Sequence, residues 1–232
     1  MTGKDQASGP IVKGLPIEAE PVFPEVAAEG ISKPRSGSAL QRFAQLLLRL
    51  MGWRMDERLP AEPKFVLIVA PHTSNWDLFI GLVCVTAIGL TRKWRIGFLV
   101  KESAAHWPVL GRLVLRFGAI PIDRGSPHRI VERMAAAFER CDRLILGMAP
   151  EGTRRKAPYW KSGFYRIAVR AGVPIALGYL DYGRRVAGIG PVLKPGGDAE
   201  ADLEIIRRFY AGIACKYPRN AGEVRFKPGA GD

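Results

Sequence analysis

Thirteen residues, Phe65 to Asp77, restrict this chain more than any others. Phe65-Val66-Leu67-Ile68-Val69-Ala70 is an uninterrupted apolar run, and three of its six residues are β-branched. A run of that length reads as a buried strand. Pro71 lacks a backbone donor and ends it. The mostly apolar stretch Leu78–Leu90, 13 residues long, reads as a core helix. His72 therefore sits where a strand hands over to a helix. In open α/β sheets, ligands bind at that end of the strands.

His72 and Asp77 are five residues apart. At about 100° per residue they would not share a helix face. They meet if His72 lies in the turn and Asp77 in the first helical turn. A carboxylate there accepts from one imidazole nitrogen and leaves the other free as a base. Such a general-base pair contributes about 10²–10⁴-fold to a proton-transfer step. The same residues also fit a capping box, with Ser74 as N-cap and Asp77 at the third helical position. Spacing alone leaves a catalytic pair and a buried histidine beside a cap both open.

Alternation of strands and helices continues along the chain. Trp94–Val100, Ala119–Ile122, Arg143–Ala149, Pro174–Leu180 and Val186–Leu193 read as strands. Helical stretches are expected over 101–117, after Ser126-Pro127, over Lys161–Ala171, and from Asp198 to about Cys215. The class is α/β, a single domain around a mixed or largely parallel sheet flanked by helices. Residues 1–37 contain five prolines and no apolar periodicity, the composition of a disordered arm. The domain is expected over 38–232. It opens with an amphipathic helix over 38–53, in which Leu40, Phe43, Ala44, Leu47, Leu50 and Met51 form one stripe and Gln41, Arg42, Gln45 and Arg49 the polar side. Alone it is marginal, so it docks on the core or lies in a membrane interface.

The net charge is +13. The first 37 residues hold four basic and five acidic residues, so 38–232 carry +14. Such a surface attracts anionic membranes, acidic carrier proteins or nucleic acid. No nucleic-acid-binding motif accompanies the charge, so no nucleic-acid partner is expected. Three scattered cysteines and three scattered histidines suggest neither a disulfide framework nor a metal site. A reducing cytoplasm fits. The first 15 residues have no apolar core, so no signal peptide is expected. No stretch reaches the roughly 18 apolar residues of a membrane span.

Four ordered blocks then carry a family resemblance: His72-x4-Asp77; Gly118-Ala119-Ile120-Pro121-Ile122-Asp123-Arg124; Pro150-Glu151-Gly152-Thr153-Arg154; and Gly172-Val173-Pro174-Ile175. In this order and spacing the chain resembles the glycerolipid acyltransferase family, the group containing 1-acyl-glycerol-3-phosphate acyltransferases. Pro121 stands where that family usually has Phe. The resemblance implies transfer of an acyl group from a thioester, carried by CoA or acyl carrier protein, to the free hydroxyl of a lysophospholipid. No cofactor is implied. It implies His72 as base and Asp77 as its partner, and it assigns Arg124, Glu151, Gly152, Thr153 and Arg154 to the acceptor's glycerol phosphate. It also implies peripheral attachment to the cytoplasmic face of an anionic membrane through the N-terminal helix. Direct transfer is expected, because no Gly-x-Ser-x-Gly nucleophile setting is present. A hydrolase or CoA-independent transacylase, and a lipid-binding protein without turnover, are the rival readings.

Overall fold

The computed structural model describes residues 39–56, 58–101, 115, 118–122 and 127–229. The arm expected over 1–37 and most of the helical stretch expected over 101–117 lie outside them. The described elements are α1 (Ala39–Leu50), β1 (Arg54–Met55), β2 (Lys64–Val69), α2 (Asn75–Ala87), α3 (Leu90–Lys93), β3 (Arg95–Lys101), β4 (Ala119–Ile122), α4 (Pro127–Arg140), β5 (Leu144–Met148), α5 (Gly163–Ala171), β6 (Ile175–Asp181), β7 (Val186–Leu193) and α6 (Ala199–Ala211).

The strands form one sheet in the order β1-β7-β6-β2-β5-β3-β4. Every neighbouring pair is parallel except β6 and β7. The apolar run from Phe65 thus becomes a central strand, and side-chain alternation sends its residues into two cores. Val66 and Ile68 pack with Leu146 and Leu177 against Phe138 of α4, Phe164 of α5 and Leu203 of α6. Phe65 points the other way, onto Leu90, Trp94 and Ile145. With helices on both faces, a central parallel strand has no solvated side, which is why it reads as a continuous apolar run.

The edge strand β4 depends on Gly118. Its φ is +92°, and a Cβ there would lie 2.0 Å from the Ile96 carbonyl oxygen. Only glycine lets the chain pass this close to β3 and then pair Ala119 with Phe98. Pro121 sits within β4 at the sheet's end, where a missing donor is tolerated.

Helix α1 docks by a narrow side that mixes small apolar and amide side chains, not by the widest part of its apolar stripe. Ala44 and Leu48 are buried against α2 with Cys84 and Ala87. Gln41 and Gln45 donate their side-chain amides to the Ala87 carbonyl at 3.1 and 3.0 Å, serving a helix-end acceptor that lacks an intrahelical donor. Leu40, Phe43, Leu46 and Leu50 face outward at 59, 62, 53 and 77% exposure. Core docking and an outward apolar face therefore coexist in one helix.

The last helix departs from expectation. α6 ends at Ala211, with Gly212 as its cap, rather than near Cys215. Glycine is a poor helix former, and the following backbone finds tertiary partners instead. The Tyr182 N–H donates to the Ala214 carbonyl at 2.8 Å, and the Trp160 N–H to the Arg225 carbonyl at 2.8 Å. Residues 213–226 thereby run back across the carboxyl ends of the central strands.

Candidate active site

Three neighbouring parallel strands, β6, β2 and β5, end at one edge of the sheet. The residues just beyond them are Tyr182, the Pro71–Asp77 turn and Glu151. Sheet order therefore converges groups far apart in sequence.

Within the turn, Ser74 caps α2. Its hydroxyl accepts from the Trp76 N–H at 3.1 Å, and Asp77 completes the capping box by accepting from the Ser74 N–H at 2.8 Å. The same oxygen, Asp77 Oδ2, accepts from the Thr73 N–H at 2.8 Å and lies 3.3 Å from His72 Nδ1. The carboxylate that caps the helix is the one that faces the imidazole. Its other oxygen, Oδ1, accepts from the Tyr182 hydroxyl at 2.6 Å. Burial opposes the charge on Asp77, but the hydrogen bonds from His72, Tyr182 and the Ser74 N–H outweigh it and hold the carboxyl below its ordinary value. Asp77 is thus an ionised acceptor locked in place, with an imidazole against it. His72 has a side chain 19% exposed, and its Nε2 has no partner among the described residues. That nitrogen is free to take a proton from a bound group.

Glu151 is buried at 5% exposure. Its Oε1 accepts from the His72 N–H at 2.9 Å, while Oε2 has no partner among the described residues. Burial raises its pKa, against the lowering effect of the His72 N–H. Glu151 therefore pins the backbone of the turn. Gly152 follows at φ +63°, and Thr153 and Arg154 are exposed. Arg154 donates to the Asn75 side-chain oxygen, which sets a guanidinium beside the first turn of α2. Among the expected site residues, His72, Asp77, Glu151 and Arg154 come together, with Gly152 and Thr153 on the connecting loop. Arg124 lies outside the described residues, as does Asp123. Trp160, Phe164 and Tyr165 are core residues.

Sequence reasoning missed Tyr182 and the 213–226 segment. Tyr217 donates its N–H to Thr73 Oγ1 at 3.2 Å, and Asn220 donates its side-chain amide to the Thr73 carbonyl at 3.4 Å. Lys216 lays its ammonium 4.9 Å from the Trp76 ring centroid. The one available signal was that a tyrosine follows a strand predicted to lie in the same sheet. No groups of three or more metal-ligating side chains occur among the described residues, and no described helix is long and apolar enough to cross a membrane.

Comparison with known proteins bears on this arrangement. The chain is 27% identical over 165 residues to a 1-acyl-sn-glycerol-3-phosphate acyltransferase of Neisseria gonorrhoeae, covering 67% of this chain and 60% of the relative. It is 27% identical over 146 residues to the protein of the same name from Neisseria meningitidis serogroup B, covering 59% and 53%. The chain thus spans little more than half the length of these relatives. The crystal structure of the 1-acyl-sn-glycerophosphate (LPA) acyltransferase PlsC from Thermotoga maritima superposes with a TM-score of 0.51 at 16% identity, covering 74% of this chain and 77% of that one, which is a likeness of fold. The acyltransferase family model matches residues 53–176, a span holding β2, the His72 turn, β5 and Glu151, and the chain belongs to the acyltransferase family.

Proposed function

We propose that this protein transfers a fatty acyl group from a thioester, acyl-CoA or acyl carrier protein, to the free hydroxyl of a lysophospholipid such as 1-acyl-glycerol-3-phosphate. The observation that carries the reading is the His72–Asp77 contact at the carboxyl edge of the sheet, with Nε2 unengaged among the described residues. His72 Nε2 accepts the hydroxyl proton, and the oxygen attacks the thioester carbonyl carbon. Asp77 stabilises the imidazolium, and collapse of the tetrahedral adduct breaks the carbon–sulfur bond. The thiolate then recovers the proton from Nε2, so ester and free thiol leave and the imidazole is restored. Arg154 and Arg124 hold the acceptor's phosphate, with Gly152 and Thr153 lining the approach. Glu151 serves that site through the His72 backbone. Orientation of this kind supplies a large share of the rate.

The test is a panel of lysolipids assayed with both donor types. Transfer to a phosphate-bearing lysolipid is the expected result, and hydrolysis without ester formation would replace this reading with the hydrolase. Arg154→Lys keeps charge but loses the bidentate fork. It should raise the apparent KM for the acceptor about 10-fold or more while leaving the donor KM unchanged, since a lost charge-assisted contact is worth about 1.5–3 kcal/mol. A change confined to the donor would move Arg154 to the thioester's binding site.

The outward face of α1 supports attachment to an anionic membrane surface, since four exposed large apolar residues lie beside exposed Arg42 and Arg49. Replacing Leu40, Phe43, Leu46 and Leu50 together by Ser should abolish co-sedimentation with anionic vesicles while leaving the buried Ala44 and Leu48 contacts intact. Wild-type binding should weaken with salt, because exposed charges are screened over about 8 Å at physiological ionic strength. Unchanged binding in the fourfold variant would exclude this face.

A further inference from the structure

We propose that Tyr182 is the positioning residue that sets the basicity of the His72–Asp77 pair, an inference that rests on the acyl-transfer reading only for its kinetic consequence. The geometry is specific. The Tyr182 hydroxyl donates to Asp77 Oδ1 at 2.6 Å, while Oδ2 serves the Thr73 and Ser74 N–H groups at 2.8 Å each and faces His72 Nδ1. One carboxylate thus divides its charge between a phenol and an imidazole.

The phenol is fixed independently of Asp77. The Tyr182 ring meets Trp53 edge to face, with centroids 5.1 Å apart and planes at 88°. Its backbone N–H donates to the Ala214 carbonyl at 2.8 Å. Lys216 lies 5.8 Å from its ring centroid. Burial, then the Asp77 carboxylate, pushes the phenol well above its ordinary value, so the hydroxyl stays protonated and acts as donor. Other ionisable groups around the pair are Glu151 behind the turn, Arg154 on Asn75, and Cys215, Lys216 and Tyr217 on the covering segment. Of all these, Tyr182 is the one whose side chain bonds the carboxylate.

The consequence has a sign. A hydrogen bond to a carboxylate stabilises its charge and lowers its proton affinity. Without the phenol, Asp77 offers more negative charge to His72, and the imidazolium is favoured. The two backbone N–H groups still hold Oδ2, so the carboxylate keeps its place. Tyr182→Phe should therefore move the His72 imidazole titration midpoint up by about half a pH unit or more, since only part of the effect of the lost charge-assisted hydrogen bond reaches the imidazole. 3-Fluorotyrosine incorporated in place of Tyr182 is a more acidic donor of nearly the same shape and should move the midpoint down.

The experiment is NMR titration of isotopically labelled histidine in the full chain, with His72→Gln assigning the signal among the three histidines. Opposite shifts in the two variants support the proposal. An unchanged midpoint in the fluorinated protein overturns it, and this measurement decides even where Tyr182→Phe fails to fold. The titration needs no turnover, so its outcome is separate from whether the protein transfers acyl groups. In turnover, the acid limb of the kcat/KM profile should follow the same two directions.

Discussion

Replacing His72 by Ala should leave a folded protein whose acyl transfer is slower by about 10²–10⁴-fold, the range of a lost general base. The fold should survive because the structural duty of this residue lies in its backbone. The His72 N–H donates to Glu151 Oε1 at 2.9 Å, and Ala retains that donor. The imidazole adds one contact, 3.3 Å to Asp77, and lies partly exposed. Asp77→Asn should behave differently. The amide keeps one acceptor, but its NH₂ group must face either the Tyr182 hydroxyl or the Thr73 and Ser74 N–H groups. With the amide oxygen on the two N–H groups, the NH₂ can donate to the Tyr182 hydroxyl, which turns to accept. The cap is kept with weaker, uncharged hydrogen bonds, but the imidazolium loses its counter-charge. This variant should therefore lose activity with a small accompanying loss of thermal stability. Measuring kcat and melting temperature on both proteins separates the roles. Near-normal turnover in folded His72→Ala would remove the base from the mechanism.

Gly118→Ala should be the most damaging single-methyl substitution in the described fold. The added Cβ would approach the Ile96 carbonyl oxygen to 2.0 Å, and the backbone holds φ +92°. An L-residue at positive φ costs about 1–3 kcal/mol before any clash, and backbone on one side and strand pairing on the other leave little room to relax. A loss of about 3 kcal/mol or more is expected, with β4 detached from β3. Urea unfolding with an unchanged slope and a midpoint near wild type would contradict it. Gly172→Ala is the control: φ is +63° but nothing lies within 4 Å of its Cβ, so it should cost less.

These two sites also show what was legible in the sequence. The strand, turn and helix around His72 are local, and their apolar run, proline and Ser74 cap can be read residue by residue. The approach of Asp77 to His72 is local too. Capping and facing the imidazole stood as alternatives on spacing alone, yet one carboxylate performs both, because the oxygen that accepts from the Ser74 N–H also faces His72 Nδ1. Gly118 was readable as a member of a pattern, while its reason, the Ile96 carbonyl, lies on another strand. The contacts of Glu151 and Tyr182 follow from β5 and β6 flanking β2, and strand order is a tertiary fact that periodicity does not encode. Helix α1 was readable as amphipathic, but its inward side, Ala44 and Leu48 flanked by Gln41 and Gln45 on the Ala87 carbonyl, depends on where α2 lies. The end of α6 was placed too late because the backbone partners of 213–226 outbid continued helix.

The covering of Thr73 has a consequence in time. Tyr217 and Asn220 follow it by 144 and 147 residues. At synthesis rates of roughly 5–20 residues per second, the His72 turn waits roughly 7–30 s for the segment that closes over it. Tyr182, 105 residues after Asp77, arrives in between. The nascent chain thus carries Ser74 and Asp77, the local capping pair of α2, long before the segment that covers the turn. Until Tyr217 and Asn220 have been made, Thr73 goes without the two hydrogen bonds they give it in the finished fold.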